Sequence, residues 1–165
     1  MTRDFRIFIT NLGKYNEGEL VGKWLDLPCD DIEEELASIG VSNDTEYEEY
    51  FITDYENSWN YKVAEYESLK ELNRLAERLE EVAGDEEHIT AYMEATSCDL
   101  KYALDNYEDS TFYHDMDLED VAYNIIEECY NLPEIAERYF DYKAFARDLG
   151  YDGYTETEYG TIYIY

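Results

Sequence analysis

Positive charge is scarce in this chain. Its 165 residues contain 12 Lys and Arg against 42 Asp and Glu, so the formal net charge at pH 7 is −30. Binding nucleic acid requires Lys and Arg to neutralise phosphates, so the composition argues against nucleic acid as a direct partner. A strongly anionic surface instead favours a basic partner, and a protein that itself binds nucleic acid presents such a surface.

Cysteine and long apolar runs are also scarce. The three cysteines, Cys29, Cys98 and Cys129, are odd in number and far apart, which is typical of free thiols in a reducing compartment. No apolar run approaches the roughly 20 residues that span a bilayer, and the first residues lack the apolar core of a signal peptide. We therefore expect a cytoplasmic protein without membrane contact.

Motifs for catalysis and for cofactors are missing as well. Gly-rich phosphate loops and the G-x-S-x-G nucleophile motif do not occur. The acidic run that starts at Asp115 has Asp120 and Ile126 where an EF-hand loop requires Gly and Glu, and Cys and His show no paired zinc-ligand spacing. We predict a protein that is not an enzyme and has no cofactor and no metal site. A calcium- or manganese-binding protein remains an alternative.

The chain does contain enough apolar and aromatic residues to fold. It is 45% hydrophobic and 16% aromatic, unlike disordered acidic polymers, which are poor in aromatic residues. Its charge is not confined to a tail, because residues 1–60, 61–108 and 109–165 carry net charges of −11, −8 and −11. The whole folded body is therefore expected to be anionic.

The first segment, residues 1–60, is predicted to be a small antiparallel sheet with one helix. Alternating apolar residues at Phe5, Ile7 and Ile9 indicate the first strand. The predicted elements are strands over 5–10, 23–27 and 48–55, a glycine-rich loop over 11–22 and a helix over 30–39.

The middle segment, residues 61–108, is predicted to be a bundle of short helices without strands. Leu69, Leu72, Leu75 and Ala76 recur at helical spacing. Helices are predicted within 63–82, with Ser68 as a cap, and over 85–96 and 99–107.

The last segment, residues 109–165, is predicted to combine helices with a small sheet. Leu118, Val121, Ala122 and Ile125 form a core-facing stripe. The predicted elements are a strand over 110–114, helices over 117–128, 133–139 and 142–149, and a hairpin around Gly160. The predicted fold class is therefore α+β, in three small domains.

Two predicted helices, 30–39 and 117–128, carry dense negative charge on their outward faces. An α-helix rises about 5.4 Å per turn, so two outward carboxylates per turn give one charge per about 2.7 Å. Duplex DNA carries one charge per roughly 1.7 Å of axis. These helices are therefore predicted to imitate the electrostatic surface of a duplex. The alternative is a solvated acidic surface of no particular geometry.

Several stretches together resemble one known family, the ArdA antirestriction proteins. The resemblance covers essentially the whole chain and rests on the runs NLGKYNEGELVGKWLDLP, SLKELNRLAERLEE, DLEDVAYNIIEE and FDYKAFARDL. It implies an inhibitor of type I restriction–modification enzymes that mimics bent duplex DNA and is encoded by mobile elements such as conjugative plasmids or transposons. It also implies an elongated homodimer with three small domains per subunit.

The resemblance assigns the family's antirestriction motif to residues 115–128 and dimer contacts to the start of the third domain. The expected partner is the methyltransferase core of the restriction enzyme, with its specificity and modification subunits. The carboxylates predicted to mimic DNA are Asp30, Asp31, Glu33, Glu34, Glu35, Glu46, Glu48, Glu80, Glu81, Asp115, Asp117, Glu119, Asp120, Glu127, Glu128 and Asp141. The residues predicted at the dimer interface are Phe112, Tyr113, Leu118, Val121 and Ile125.

One further function remains open at this point. An acidic interaction or regulatory module that binds another basic DNA-binding protein, such as a nucleoid protein, would have the same composition. Competition with DNA for a restriction methyltransferase separates the two hypotheses.

Overall fold

The computed structural model describes residues 5–165 and divides the chain into two units, one ending at Ala83 and the other beginning at Gly84. Each unit contains its own three-stranded antiparallel sheet together with helices, which confirms the α+β fold class. No helix among residues 5–165 is long and apolar enough to cross a membrane. The finer division into domains at 1–60, 61–108 and 109–165 stays a prediction.

The first unit is built around its first strand, which lies between the other two strands in the order β2-β1-β3. Phe5, Ile7 and Ile9 are buried, as their alternation predicts for a sheet with one covered face. A bulge interrupts the pairing of the first and third strands between Phe8 and Ile9. The elements are β1 (Phe5–Asn11), α1 (Leu12–Asn16), β2 (Gly22–Asp26), α2 (Ile32–Ser38), β3 (Tyr50–Asn57) and α3 (Leu69–Glu81).

The prediction of a loop over residues 11–22 is wrong at its start, where Leu12–Asn16 forms α1. The side chain of Asn11 begins this helix by accepting a hydrogen bond from Lys14 N at 2.9 Å. The same side chain donates to the backbone oxygen of Ile39 at 3.1 Å. Both bonds depend on a buried Asn, so the helix is stabilised by tertiary contacts that override the low helix propensity of its glycine.

Helix α3 packs in the first unit through Leu69, Leu72, Leu75 and Ala76, which are all buried. It is shorter than the predicted range of 63–82. Ser68 occupies the predicted N-cap position but makes no side-chain capping bond.

The side chain of Asn73 fastens α3 to the segment between β2 and α2. Its oxygen accepts from Cys29 N at 2.8 Å, and its nitrogen donates to Cys29 O at 3.2 Å. Asn73 is 7% exposed, so this pair of bonds is shielded from competing water.

The second unit has its last strand at the centre of the sheet, in the order β4-β6-β5. The predicted strand at 110–114 and the predicted hairpin around Gly160 are both confirmed. The elements are α4 (Glu86–Thr96), α5 (Leu100–Asn106), a short 3-10 turn (Tyr107–Asp109), β4 (Ser110–His114), α6 (Leu118–Cys129), α7 (Glu134–Arg138), α8 (Tyr142–Tyr151), β5 (Tyr154–Thr157) and β6 (Gly160–Ile164).

Helices cover this second sheet and pack on each other. Helix α4 contacts all three strands, and α6 packs against α8. The predicted middle segment is therefore shared, with α3 in the first unit and α4 and α5 in the second. The core between α6 and α8 contains Val121, Ala122, Ala146 and Leu149. The last helix of this pair, predicted over 142–149, extends past Gly150 and ends at Tyr151.

Candidate functional site

The acidic residues of the described chain lie at its surface. Every Asp and Glu from residue 5 onward is exposed except Glu35, Glu67, Glu86 and Glu87, which are half-buried. The dense charge is therefore presented to solvent by the folded units, as expected for a group whose burial without a partner costs several kcal/mol.

Helix α2 presents the first group of predicted carboxylates. Asp31 is its N-cap, and the carboxylate accepts hydrogen bonds from Glu33 N and Glu34 N at 3.0 Å each. The side chains of Glu33 and Glu34 are exposed beside it, as is Asp30. The N-terminal half of the helix thus displays four carboxylates, of which one also stabilises the helix end.

Glu35 differs from its neighbours on α2. It is half-buried and forms an ion pair with Lys23 of the adjacent strand β2. Its charge is therefore offset locally.

The pKa of Cys29 is affected by partial burial and by the carboxylates near α2. Partial burial raises the pKa of Cys29, the Glu35 carboxylate raises it further, and Asp30 and Asp31 add to the effect. Each carboxylate disfavours a second negative charge nearby. The thiol of Cys29 therefore lies within the electrostatic field of the carboxylates near α2.

Helix α6 presents the second group of predicted carboxylates, and several of them also hold its N-terminus. Asp117 accepts from Asp120 N at 2.9 Å, and Asp120 accepts from Asp117 N at 3.4 Å, which is a reciprocal capping box. Glu156 of β5 accepts from Leu118 N at 2.9 Å. Acidic residues at this helix end therefore satisfy backbone donors that the helix itself leaves free.

The remaining carboxylates of the predicted antirestriction motif have mixed surroundings. Glu127 is exposed toward the end of α6, and Glu128 is exposed next to it. Glu119 lies 3.9 Å from Lys143, a loose ion pair between two exposed groups. Asp115 has a left-handed backbone with φ +56, a conformation that Asp tolerates better than most residues.

Other predicted carboxylates lie outside these two helices. Asp141 caps α8 by accepting from Ala144 N at 3.0 Å. Glu46, Glu48, Glu80 and Glu81 are exposed in the first unit. The predicted residues of α2 and of α6 thus form two helix-based clusters, and the other predicted residues belong to other helices or to loops.

Five cations of the described chain pair with carboxylates outside the predicted set, namely Arg6, Lys14, Arg74, Arg138 and Arg147. Within the set, Lys23 pairs with Glu35 and Lys143 pairs with Glu119, and the Asp115 carboxylate lies 3.1 Å from His114 Nδ1. The other Lys and Arg pairs use Glu56, Glu17, Glu19, Glu71, Glu134 and Asp148. Glu33, Glu34, Glu127 and Glu128 form no ion pair within residues 5–165, so the charges of these four carboxylates are not offset by a neighbouring cation.

The residues predicted at a dimer interface are all in contact with their own unit. The ring of Phe112 stacks on His88 at a centroid distance of 5.2 Å, and Tyr113, Leu118 and Ile125 pack partly buried against the α6–α8 core. Val121 has no exposed surface. Val121 belongs to the apolar stripe of α6 that packs into the core of its own subunit, so its side chain has no surface to offer a partner.

His88 of the second unit is hydrogen-bonded to the buried residue Ser110. Ser110 donates its hydroxyl hydrogen to the Tyr107 carbonyl at 2.5 Å, so His88 Nε2, at 2.7 Å from the same hydroxyl, acts as the donor of that pair. Burial lowers the pKa of His88 and keeps it neutral. Ser110 therefore faces no base that would activate it as a nucleophile.

Within residues 5–165 no group of three or more His, Cys, Asp or Glu is arranged to hold a metal ion. Cys29, Cys98 and Cys129 are free thiols, as their spacing predicted.

Sequence reasoning missed residues that the fold brings to the surface of α6. Glu156 was not singled out, because its partner lies 38 residues away in the chain. Tyr123, Tyr142 and Glu137 were also missed, although they line one cavity with Glu127. The i,i+4 spacing of Tyr123 and Glu127 was the one local signal that these side chains share a helix face.

A family model described as antirestriction protein (ArdA) matches residues 7–163. A comparison with curated proteins finds no match.

Proposed function

Because this chain belongs to the ArdA antirestriction family, whose members act against type I restriction enzymes, we propose that it inhibits such an enzyme by imitating bent duplex DNA. In this proposal the protein occupies the DNA-binding groove formed by the specificity and modification subunits. It acts in the cytoplasm and protects incoming mobile DNA from the host enzyme. No catalytic step is involved.

The observation that carries the proposal is the exposed, weakly compensated charge on α2 and α6. Helix α2 displays Glu33 and Glu34 in its first turn, and α6 displays Glu119 and Asp120 in its first turn and Glu127 and Glu128 in its last. Within such a turn two outward carboxylates correspond to one charge per about 2.7 Å, against one per roughly 1.7 Å of duplex axis. A groove that holds DNA by neutralising phosphates would be attracted to such a surface. The same field would also speed the encounter of the two proteins.

The proposal divides the acidic residues into two classes. Asp31, Asp117 and Asp141 accept backbone hydrogen bonds at helix ends, so they support the scaffold as well as the surface charge. Glu33 and Glu34 have no such bond and offer charge alone. Removing single charges of the second class should change inhibition little, because affinity is spread over many contacts.

We also propose that the active form is a homodimer. Phe112, Tyr113, Leu118 and Ile125 keep some exposed surface on β4 and α6, and this surface supports a contact near the predicted antirestriction motif. Sedimentation of the wild type and of an Ile125→Asp variant tests the contact. A dimeric wild type and a folded monomeric variant are expected, and an unchanged dimer would place the interface elsewhere.

A competition titration tests the DNA-mimic proposal. A fluorescent duplex with a type I recognition site is bound to the methyltransferase core, and the protein is added. Stoichiometric displacement of the duplex is expected. A complex that forms without displacing the duplex would mean inhibition from another site, and no complex at all would favour the alternative of a different basic partner.

Matched variants sharpen this titration. Replacing Glu33, Glu34, Glu127 and Glu128 with Gln one after another should weaken displacement progressively. The quadruple variant should be weakened more than any of the four single variants. Circular dichroism and melting temperature establish that each variant remains folded. Complete loss of displacement from one folded single variant would contradict a distributed mimic.

A further inference from the structure

One cavity of the second unit combines aromatic walls with two carboxylates. It has a volume of about 280 Å³ and lies among α6, the segment that follows it, α7 and the start of α8. We call it the Tyr–Glu pocket and define it by Tyr123, Tyr130 and Tyr142 with Glu127 and Glu137. Its volume is just below the range of roughly 300–1,000 Å³ typical of small-molecule sites, so it suits a single side chain.

The aromatic wall of the Tyr–Glu pocket is held in place by ring contacts. Tyr123 and Tyr142 stack with their centroids 3.7 Å apart and their planes at 17°. Phe140 packs edge-on against Tyr142 at 4.8 Å. The wall is therefore preorganised, which lowers the entropy lost when a ligand binds.

Two carboxylates give the pocket its charge. Loss of hydration raises the pKa of Tyr142, and the carboxylate of Glu137 raises it further, followed by Tyr123 and Glu127. The hydroxyl of Tyr142 thus lies within the field of both glutamates. A pocket that already disfavours one more negative charge favours a cation.

No cation of the described chain fills this role. The nearest basic residues in sequence are Arg138 and Lys143, and they pair with Glu134 and Glu119 respectively. Neither Glu127 nor Glu137 is in an ion pair within residues 5–165. The pocket therefore presents two uncompensated carboxylates beside aromatic faces.

The shape of this site distinguishes among cations. A guanidinium is planar, stacks on aromatic faces and donates hydrogen bonds in a fork to carboxylates. An ammonium is a compact, strongly hydrated charge and gains less from an aromatic wall. Grooves that hold DNA bind its phosphates with Arg and Lys side chains, so a groove of this kind supplies guanidinium groups.

We propose that the Tyr–Glu pocket receives one arginine side chain from the DNA-binding groove of the target enzyme. The guanidinium stacks on the tyrosine wall and donates hydrogen bonds to Glu127 and Glu137. This inference rests on the proposed function and adds to it a defined anchor within an otherwise distributed charged surface. A buried Arg in an aromatic pocket is the usual form of an interface hot spot.

The first test compares two double variants with the same change in charge. Glu127→Gln with Glu137→Gln removes the carboxylates of the pocket, and Glu128→Gln with Glu158→Gln removes two exposed carboxylates outside it. In the displacement titration the pocket variant should be weakened roughly tenfold or more, because the charge-assisted hydrogen bonds to the guanidinium are lost. Equal weakening by the two double variants would overturn the pocket proposal.

A second pair of variants separates the aromatic wall from the charge. Tyr130 is 57% exposed and lies outside the Tyr123–Tyr142 stack, so Tyr130→Ala opens the pocket with its core contacts intact. Tyr130→Phe keeps the ring and removes only the hydroxyl. Displacement should be weakened by Ala and retained by Phe. Wild-type displacement by the folded Ala variant would overturn the stacking role.

A direct binding measurement does not depend on the restriction enzyme. N-acetyl-L-arginine methylamide is titrated into the protein, and the tyrosine ring resonances are followed by NMR, with the lysine analogue and tetramethylammonium as comparisons. Saturable shifts with the arginine probe, lost in the Glu127→Gln, Glu137→Gln variant, are expected. No shift, or saturation by tetramethylammonium alone, would overturn the guanidinium assignment.

The two measurements fail in different ways. If the wild type displaces no DNA but the arginine probe binds, the proposed function is wrong and the pocket still holds a guanidinium. If the wild type displaces DNA and the probe does not bind, mimicry stands and the pocket proposal is overturned.

Discussion

Asp117 stands at the N-terminus of α6, where one carboxylate serves both helix stability and surface charge. Two substitutions separate these effects. Asp117→Ala removes the charge and the capping bond to Asp120 N, whereas Asp117→Ser removes the charge but keeps an oxygen that can accept that bond. Both variants relieve the same amount of repulsion in a protein of net charge −30. Their difference therefore isolates the cap.

The size of that difference follows from the geometry. The bond from Asp120 N is 2.9 Å long and starts the helix, and loss of such a cap costs about 1 kcal/mol, within a range of roughly 0.5–2 kcal/mol. Helix α6 contributes two of the four residues of the α6–α8 core, so loss of the cap destabilises the second unit as a whole. For a unit of this size 1 kcal/mol corresponds to about 4–8 °C in melting temperature.

Thermal unfolding followed by circular dichroism at neutral pH measures this effect. The Ala variant should melt about 4–8 °C below the Ser variant. At a temperature where both are folded, both should inhibit the restriction enzyme to within roughly fivefold of the wild type, because one exposed ion pair contributes about 0.2–1 kcal/mol. Equal melting of the two variants would refute the capping argument, and loss of inhibition by both folded variants would make Asp117 an indispensable contact.

Three further outcomes are expected. Raising the ionic strength from about 0.1 M to about 1 M shortens the Debye length from about 10 Å to about 3 Å, so the melting temperature should rise while inhibition weakens; if salt changes neither, charge controls neither property. Asn73→Ala leaves the backbone N and O of Cys29 without their partner and should lower the free energy of unfolding by about 2–4 kcal/mol in urea titrations, whereas Glu77→Gln at the next turn should have little effect. Burial raises the pKa of Tyr107 to about 12, above the usual value of about 10 for an unfolded chain, so the stability it contributes is complete below pH 10 and is lost between about pH 10 and 12; Tyr107→Phe should flatten that part of the stability profile, and an unchanged alkaline slope would argue against the shift.

The elements that could be predicted from sequence are those in which one face is buried. Phe5, Ile7 and Ile9 alternate because β1 covers a core on one side, and the stripe on α6 fixes both the type and the length of that helix. The hairpin around Gly160 was predictable for a comparable reason, since the alternation on either side of this residue defines two strands. In the structure Gly160 has φ +140, a conformation that glycine adopts readily.

The elements that could not be predicted depend on contacts distant in sequence. Helix α1 exists because Asn11 reaches both Lys14 and Ile39, and no local pattern contains the second of these. The packing of α3 in the first unit is secured by Asn73 and Cys29, which are 44 residues apart. Periodicity identifies a helix, but it does not say which sheet that helix covers.

The candidate site also has features that could be predicted from the sequence and features that could not. Exposure of the predicted carboxylates follows from the cost of burying charge, and it needed no structure. Val121 shows what an apolar stripe cannot predict, because helical spacing alone does not separate a residue of the subunit core from one at an interface. Glu127 and Glu137 belong to different helices, so their convergence on Tyr142 has no signature in sequence.

The positions of the central strands have a consequence for biosynthesis. In the first unit the central strand is β1, which precedes both of its partner strands in the chain, so these strands can add to it as they leave the ribosome. In the second unit the central strand is β6, which is made after β4 and β5, the two strands that pair with it. That sheet cannot close until β6 has emerged, so its earlier strands keep unpaired edges during translation. The first unit can therefore fold progressively as it is made, whereas the second must wait for its last strand and complete its sheet in a single late step.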